Sequence, residues 1–263
     1  MYHTLRIIRQ APQFILKFSA LAVALPCALA TAQDPSSGGS LGLGIARAPV
    51  YQGSDVYKSS AMPMLEYHWE SGLFVGGTGL IGMQFSKSPE LQYGVVLGAD
   101  GGRKETDSRY LKGLGDIAGR GTLGAFVKTR LSDSISLSAA YTYGSGKERK
   151  GGLLDLGLGF DVPVSQAVSL SLGVGATLAN ASYMQNYFGV SAAQSSASGY
   201  AVYKPSGGLR DVSLNLGLNY QINPQWSLAS GITFTALSDA AKKSPLVRKT
   251  NSTSAFVGAV YTF

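Results

Sequence analysis

Residues 211–222 have the sequence DVSLNLGLNYQI, in which every second position is apolar. The apolar set runs from Val212 to Ile222, and the positions between its members hold only Ser, Asn, Gly and Gln. Successive side chains of a β-strand point to opposite faces of the sheet. The segment therefore predicts a strand with one apolar face and one face of polar or very small side chains.

The same alternation recurs in residues 134–144, 153–162 and 167–178. Each segment is about as long as a tilted strand must be to cross a bilayer. A soluble β-sandwich also alternates, but its strands are usually shorter and its outer face is charged. Ser, Gly, Asn and Thr suit the lumen of a closed barrel, and an open sheet edge in hydrocarbon would leave backbone groups unpaired. We therefore predict an all-β fold, a transmembrane antiparallel up-and-down β-barrel.

The strand number follows from counting the segments. Eleven are recognisable, whereas bacterial single-chain barrels have an even number of strands, so we predict twelve strands with ten as the alternative. The pattern is least clear in residues 70–118, where glycine is frequent. Short turns alternate with longer connections, as expected for periplasmic turns and external loops. The eleven segments are 41–47, 61–69, 73–83, 91–101, 119–131, 134–144, 153–162, 167–178, 209–222, 226–236 and 254–263.

The composition agrees with a barrel and excludes other classes. The chain has 263 residues, 34 of them glycine, and 14% are charged against about 25% in ordinary soluble domains. It lacks the high charge of a disordered chain and the long apolar runs of a helical membrane bundle. With 22 Lys and Arg and no dense basic patch beyond residues 147–150, the sequence gives little support to nucleic-acid binding.

Residues 1–32 resemble a cleaved signal peptide. Arg6, Arg9 and Lys17 form a basic start, residues 18–29 are apolar but too short to span a bilayer, and small residues precede Gln33. We expect cleavage after Ala32 and a mature barrel of residues 33–263; the stretch ahead of Phe18 is long, so the true start codon stays open. Cleavage would remove the single cysteine, Cys27, and lower the formal charge from +7 to +4 because three cations leave.

The sequence predicts neither an enzyme nor a cofactor or metal site. His68 is the single histidine of residues 33–263, and it stands beside Trp69 near an expected turn. We find no nucleophile elbow, zinc-protease motif, phosphate-binding loop or cluster of metal ligands. A histidine beside an aromatic residue at a strand end is typical of the membrane-interface belt.

Two other features concern the lumen and the end of the chain. Lys128 and Arg130 share the polar face of the strand 119–131 and would line the lumen with positive charge, which favours anions if a channel exists. Tyr261 and Phe263 resemble the C-terminal signal read by the outer-membrane barrel-assembly machinery. They also suit an aromatic girdle at the periplasmic rim, and both interpretations hold together.

Several motifs stand out along the chain, and the most specific is SYMQNYFGVS at 182–191. The motif residues are Pro49, Tyr51, Gly53, Ser54, Asp55, Tyr57, Gly113, Gly115, Asp116, Tyr183, Met184, Tyr187, Phe188, Gly189, Arg210, Asp211, Ser244 and Pro245. Together they resemble the MltA-interacting protein/OmpV (MipA/OmpV) family of outer-membrane proteins, and the resemblance extends over nearly all of residues 33–263. It implies a cell outer-membrane location in a Gram-negative bacterium.

The resemblance implies a function less sharply than a fold. For the founding member it implies a scaffold that joins the lytic transglycosylase MltA to a penicillin-binding protein in peptidoglycan synthesis, while other members are discussed as adhesins or small-molecule routes. The expected partners also include outer-membrane lipid and the barrel-assembly machinery. The motif aromatics lie in expected long loops, where they either pack the loops over the barrel mouth or form a surface for a partner. Asp116 and the pair Arg210 and Asp211 are expected to meet Arg103 inside the mouth or lumen.

Overall fold

The computed structural model describes residues 37–77, 79–144 and 151–263. The predicted signal peptide 1–32 and the predicted loop 145–150 lie outside the described residues. None of the described helices is long and apolar enough to cross a membrane.

The described residues form twelve antiparallel strands that close into one barrel, with β1 paired to both β2 and β12. The fold class and the strand number predicted from the sequence are confirmed. Each strand pairs with its neighbours in sequence, as in an up-and-down barrel. The strands are β1 (Gly38–Pro49), β2 (Tyr57–His68), β3 (Leu73–Gly76), β4 (Ile81–Gln84), β5 (Leu91–Asp100), β6 (Arg120–Arg130), β7 (Ile135–Gly144), β8 (Gly151–Pro163), β9 (Val168–Ala179), β10 (Gly208–Gln221), β11 (Trp226–Leu237) and β12 (Asn251–Thr262).

The segment 73–83 accounts for the odd count of eleven. It contains two strands of four residues each, β3 and β4. The chain leaves β3 through Gly76 and Gly77, whose φ angles are +89° and +63°. Residues with a side chain rarely adopt positive φ angles, so the two glycines allow a reversal of the chain that the alternation of the sequence does not reveal.

The register sorts the side chains as the alternation predicts. On β1, Leu43 is 65% exposed and points toward lipid, whereas Ala46 on the opposite face is 2% exposed. Along β10, Ser213, Asn215 and Gly217 face their partners on β9 and β11 at the lumen. The outer wall is therefore apolar and the inner wall is built largely from small side chains.

The lumen is not uniform. Between β7 and β11 it is lined by Ser, Gly and Asn residues, whereas near β12, β1 and β3 it is filled by apolar side chains. Phe74, Phe256 and Val260 are each less than 10% exposed in this apolar half. Phe74 packs its ring edge-on to Phe126, with ring centres 6.0 Å apart. The apolar half thus behaves as a packed core inside the barrel.

The two rims differ in the length of their connections. Turns such as 131–134, 164–167 and 222–225 join strands at one rim, where both chain ends of the barrel also lie. Long loops join strands at the other rim, and two of them contain helices. These are α1 (Ala181–Phe188), α2 (Ala192–Ser198) and α3 (Asp239–Lys242), with short 3₁₀ turns at Glu105–Asp107 and Arg109–Leu111. By the usual organisation of such barrels, the long loops are external and the short turns periplasmic.

Candidate functional site: the loop cap

Four long connections pack together over the external mouth and form what we call the loop cap: residues 50–56, 101–119, 180–207 and 238–250. Their apolar side chains, together with those of Ala179 at the end of β9 and Leu237 at the end of β11, make two clusters of buried residues. Loops that bury their own side chains behave as folded units rather than as free connections. The first cluster holds Ala179, Tyr183, Met184, Phe188, Leu237 and Ala241, and the second holds Tyr51, Leu111, Leu114, Val190 and Leu246.

Helix α1 occupies the centre of the cap. Asn180 caps it, since its side chain accepts a hydrogen bond of 2.8 Å from the backbone N–H of Tyr183. Met184 and Phe188, one turn apart, are almost fully buried, so one side of the helix packs into the mouth. Gly189 ends the helix by donating its N–H to the carbonyl of Gln185 at 3.0 Å.

Tyr187 fastens α1 to the barrel wall. Its hydroxyl donates a hydrogen bond of 2.6 Å to Oδ2 of Asp100 at the end of β5. The same carboxylate forms an ion pair of 3.3 Å with Arg120 on β6. Arg103 donates from Nη1 to the carbonyl of Tyr187 at 3.1 Å. Three strand-end or loop residues thus hold one turn of the helix.

Arg210 and Asp211 make a second anchor. Arg210 donates from Nη1 to the hydroxyl of Tyr183 at 3.2 Å and forms an ion pair with the neighbouring Asp211. Adjacent residues of a regular strand point to opposite faces, yet both side chains are buried here. The pairing of β10 with β9 shifts register between Leu209 and Asp211, which marks a bulge. A bulge redirects side chains, so it allows the two charges to meet.

The loops 50–56 and 238–250 are joined by backbone and side-chain contacts. The hydroxyl of Tyr51 donates to the carbonyl of Leu246 at 3.0 Å. The carbonyl of Gly53 accepts from the N–H groups of Arg248 and Lys249. Gly53 has a φ of +88°, and an added Cβ would lie 2.7 Å from the side chain of Val247. Glycine is therefore required there for both conformation and space.

Ser244 links the loop 238–250 to α1. Its hydroxyl donates to the carbonyl of Phe188 at 2.6 Å, and it is 4% exposed. The carbonyls at the end of a helix lack partners within the helix, so this hydroxyl satisfies one of them. Pro245 follows and is half-buried.

The loop 101–119 is organised by Glu105, which the sequence analysis did not identify. Its carboxylate accepts hydrogen bonds from the N–H groups of Gly113 at 2.7 Å and Gly115 at 3.1 Å. Asp116 in turn accepts from the N–H of Glu105 at 2.8 Å. Gly113 has a φ of +81°, and an added Cβ would lie 2.6 Å from the backbone of Ala197. The GLGD motif thus forms a tight turn against α2.

Burial sets the protonation of the cap tyrosines. The pKa of Tyr183 and the pKa of Tyr187 are both raised, mainly because burial penalises the charged phenolate. Burial likewise raises the pKa of Tyr51. All three hydroxyls are therefore neutral at physiological pH: those of Tyr51 and Tyr187 donate hydrogen bonds, and that of Tyr183 accepts one from Arg210.

An exposed group of cations and rings lies on the outer surface of the cap. The guanidinium of Arg248 stands 4.2 Å from the ring centre of Tyr110 and donates to the hydroxyl of Tyr200 at 2.8 Å. The guanidinium of Arg109 also stands over the ring of Tyr110, 4.8 Å from its centre. Sequence reasoning missed this group, because nothing in the spacing of three loops indicates their contact.

The remaining motif residues at the first loop are close to the cap but differ in exposure. Pro49 ends β1, and Ser54 is fully buried in the turn that follows Tyr51. Asp55 is exposed. Tyr57 starts β2, and its hydroxyl accepts from the N–H of Thr253 at 3.2 Å. The structure thus brings the loop motifs of the sequence to one end of the barrel.

The other predicted residues lie far from the cap. Lys128 and Arg130 stand at the periplasmic end of β6, where they line a cavity of about 10 Å³ with Pro89 and Gln92, roughly the room of one water molecule. His68 also lies near this rim, with Nε2 2.9 Å from Glu66 Oε1.

Aromatic side chains cluster at the same rim. The rings of Tyr261 and Phe263 are 6.3 Å apart, and Trp226 is 5.2 Å from Tyr261. Tyr67 and Trp69 extend the cluster. Amphipathic rings of this kind collect where lipid meets water.

The described residues contain no group of three or more His, Cys, Asp or Glu side chains arranged to hold a metal ion. The polar groups of the cap described above instead bind one another, while Gln52 Oε1 and Asn186 Nδ2 are buried without a hydrogen-bond partner among the described residues. The arrangement therefore closes and rigidifies the mouth.

A closed barrel with an apolar outer wall, a largely small and polar inner wall and long loops at one rim defines the class: this is an outer-membrane β-barrel protein of a Gram-negative bacterium. The chain belongs to the family described as MltA-interacting protein MipA, whose family model matches residues 41–263. A search of curated protein sequences gave no match.

Several solved structures have a similar overall shape at very low sequence identity. The NanC porin is 8% identical with a TM-score of 0.47, covering 85% of this chain and 98% of its own. OmpT of Vibrio cholerae is 9% identical with a TM-score of 0.41, and the match covers 87% of this chain and 97% of the OmpT chain. An outer-membrane channel from Pseudomonas putida F1 is 14% identical with a TM-score of 0.44, and the match covers 86% of this chain and 96% of the channel's chain. Similarity at this level says nothing of function.

Proposed function

We propose that this protein is a scaffold of the outer membrane that holds peptidoglycan-lytic and peptidoglycan-synthesising enzymes near the membrane. The observation that carries the proposal is the filled external mouth, where Tyr183, Met184 and Phe188 of α1 are buried. A barrel filled in this way offers a stable wall and two rims rather than a wide path for solutes. The family description names MltA, a lytic transglycosylase, as the interaction partner of its namesake, and a penicillin-binding protein is the second expected partner.

The periplasmic rim is the surface that we assign to these partners, because murein enzymes work on that side of the membrane. Lys128 and Arg130 give this end of the lumen positive charge beside Gln92. Opposite charge on a partner would favour its orientation and its rate of association. The short turns keep the rim low, so a folded domain can approach it closely.

Crosslinking in intact envelopes tests the proposal. A lytic transglycosylase should copurify with the protein after crosslinking, and the double variant Lys128→Glu, Arg130→Glu should reduce its yield severalfold. The matched control is Lys242→Glu, Lys243→Glu, which makes an equal change of charge on the external cap. It should leave the yield of the transglycosylase unchanged. Failure to recover any murein enzyme with several crosslinkers would contradict the scaffold role.

A small-solute route is the second candidate, and the polar half of the lumen favours it. The lumen faces of β7 to β11 carry Ser and Asn side chains and bare Gly backbone, which water can wet. If the barrel conducts, planar-bilayer recording should show discrete steps, and Lys128→Glu should shift the selectivity from anions toward cations. A silent bilayer with correctly folded protein would reject this alternative.

We further propose that the protein is not an enzyme. His68 interacts with Glu66 and stacks on Phe74 with ring centres 5.5 Å apart, a pattern typical of a rim residue held in place by its neighbours. The purified barrel should show no hydrolytic activity that depends on His68. A hydrolytic activity lost in His68→Ala and retained in Trp69→Ala would overturn this proposal.

A further inference from the structure

The barrel wall is incomplete on its external side between β2 and β5. The two strands between them, β3 and β4, have only four residues each, whereas a strand needs about nine to eleven residues to cross a bilayer. β2 pairs with β3 only through residues 66–68. Among the described residues, the stretch 57–65 of β2 therefore has a strand partner on one side alone, namely β1.

The gap spans the place of two strands. Neighbouring strands lie about 4.8 Å apart, so the edges of β2 and β5 are separated by about 14 Å at the level of the β3–β4 hairpin. Gly77 and Leu80 form the lower border of the gap, and Leu80 is 62% exposed. Leu97 on β5 continues this apolar border toward lipid.

The side chains along the unpaired edge of β2 are exposed. Ser60 and Ala46 are direct partners on the lumen face of β2 and β1. Ala46 is buried, yet Ser60 is exposed, as are Lys58 on the same face and Ser59 on the lipid face. Both faces of the outer half of β2 are therefore accessible beside its unpaired edge.

Pro63 indicates that this edge is not completed by an added strand. Trp69 donates to the carbonyl of Leu73 on β3, so odd-numbered residues of β2 direct their backbone groups toward the gap. Pro63 is one of them and has no N–H to donate. Proline in a strand is confined to edges and bulges, where it discourages pairing with another chain.

Two cations flank the external part of the gap. Lys58 lies on the lumen face of β2, and Arg47 lies on the lipid face of β1 beside Ser59. Arg47 also stands 5.7 Å from the ring of Tyr57. The ion pairs found within the described residues include neither cation.

We propose that this gap is a lateral window through which a single-chain anionic amphiphile, of the fatty-acid type, passes between the outer leaflet and the space below the loop cap. The cations Lys58 and Arg47 attract the headgroup, and the border of Leu80 and Leu97 supports the tail. The unpaired backbone groups of β2 face polar atoms of the headgroup and water, which avoids their burial in hydrocarbon. This inference does not depend on the scaffold role.

Fluorescence quenching of single-cysteine variants tests the window. Residues 33–263 contain no cysteine, so Ser60→Cys can be labelled with bimane in the reconstituted barrel. The probe is stearic acid carrying a nitroxide, added to phosphatidylcholine vesicles. The control is Ser213→Cys, a lumen-facing position on β10 that has strand partners on both sides. We expect severalfold stronger quenching at Ser60 than at Ser213.

The headgroup is tested by charge. Lys58→Glu should weaken the quenching at Ser60 about two- to fivefold, the range for loss of one exposed ion pair. With the unchanged Lys58, the uncharged methyl ester of the same probe should quench as weakly as the acid does in Lys58→Glu. Equal quenching by acid and ester would overturn the assignment of an anionic headgroup.

Three other results would overturn the window. Equal quenching at Ser60 and Ser213 would mean that the wall is continuous. Protection of Ser60 from both the nitroxide and aqueous iodide would mean that a second copy or a partner chain covers the edge. Equal quenching by a nitroxide-labelled two-chain phosphatidylglycerol would mean that bulk lipid fills the gap.

Discussion

The hydroxyl of Tyr187 donates a hydrogen bond of 2.6 Å to Oδ2 of Asp100, which joins α1 to the external end of β5 across 87 positions of sequence. Because Asp100 also pairs with Arg120, the helix is tied to two neighbouring strands at once. The loop cap is thus continuous with the barrel wall. Tyr187, a residue of the most specific sequence motif, supplies the connection from the helix.

Replacement of Tyr187 by Phe should loosen α1 without unfolding the barrel. The change removes a hydrogen bond to a charged group, which typically contributes about 1.5–3 kcal/mol. Amide hydrogen exchange in Ala181–Phe188 should accelerate accordingly, while exchange in β8 to β10 stays slow. Tyr220→Phe, on the lipid face of β10, is the control and should leave the helix unchanged. Unaltered exchange in α1 of Tyr187→Phe would contradict the anchoring role.

Alkaline pH should open the cap. Burial raises the pKa of Tyr187 and of Tyr183 above their ordinary value of 10.0. The folded cap therefore favours the neutral phenols, so their contribution to stability is complete below about pH 10 and is lost as the pH rises above it. Amide exchange in α1 should accelerate above this pH. The absorbance of the ionised tyrosines should appear at a higher pH than that of free tyrosine. The double variant Tyr183→Phe, Tyr187→Phe should lose this pH dependence, and a wild-type cap indifferent to alkali would refute the account.

Gly53→Ala should destabilise the contact between the loops 50–56 and 238–250. The φ of +88° disfavours any side chain, and the new methyl group would collide with Val247 at 2.7 Å. Strain of this kind costs about 1–3 kcal/mol. Limited proteolysis should then cut the cap faster. Gly121→Ala is the matched control, since an added Cβ there meets nothing within 4 Å; equal proteolysis of the two variants would argue against the model of the cap.

Breaking the pair of Arg210 and Asp211 should be costly. Removal of one partner of a buried ion pair leaves an uncompensated charge, typically at about 3–5 kcal/mol. We expect Arg210→Met to lower the resistance of the folded barrel to heat in detergent. The double variant Arg210→Met, Asp211→Asn removes both charges and should recover much of the loss. A double variant no more stable than Arg210→Met would show that the two charges do not compensate each other.

The sequence predicted much of the barrel because lipid and lumen impose a two-residue period on nearly every strand. The alternation in 209–222 matches β10 within one residue, Gly208–Gln221. The split of 73–83 into β3 and β4 escaped this reasoning. Four residues are too few to show a period, and the reversal depends on the φ angles of Gly76 and Gly77.

The candidate site was less accessible to sequence reasoning. The motif residues Tyr51, Tyr183 and Ser244 stood out by composition, but Glu105 did not, although its carboxylate holds the turn of Gly113 and Gly115. A lone glutamate in a polar loop carries no periodic signal. Its importance arises from backbone N–H groups that a neighbouring turn directs toward it.

The sequence alone therefore determined the class of fold, the lipid-facing side of each long strand and the membrane environment, because these depend on contacts with a uniform solvent that acts on every second residue. Only the tertiary structure decided how the long loops close the mouth, how a bulge brings Arg210 and Asp211 together and where the wall stays open beside Pro63. Those features depend on contacts between residues far apart in the chain, and the geometry of a closed barrel selects which of them meet.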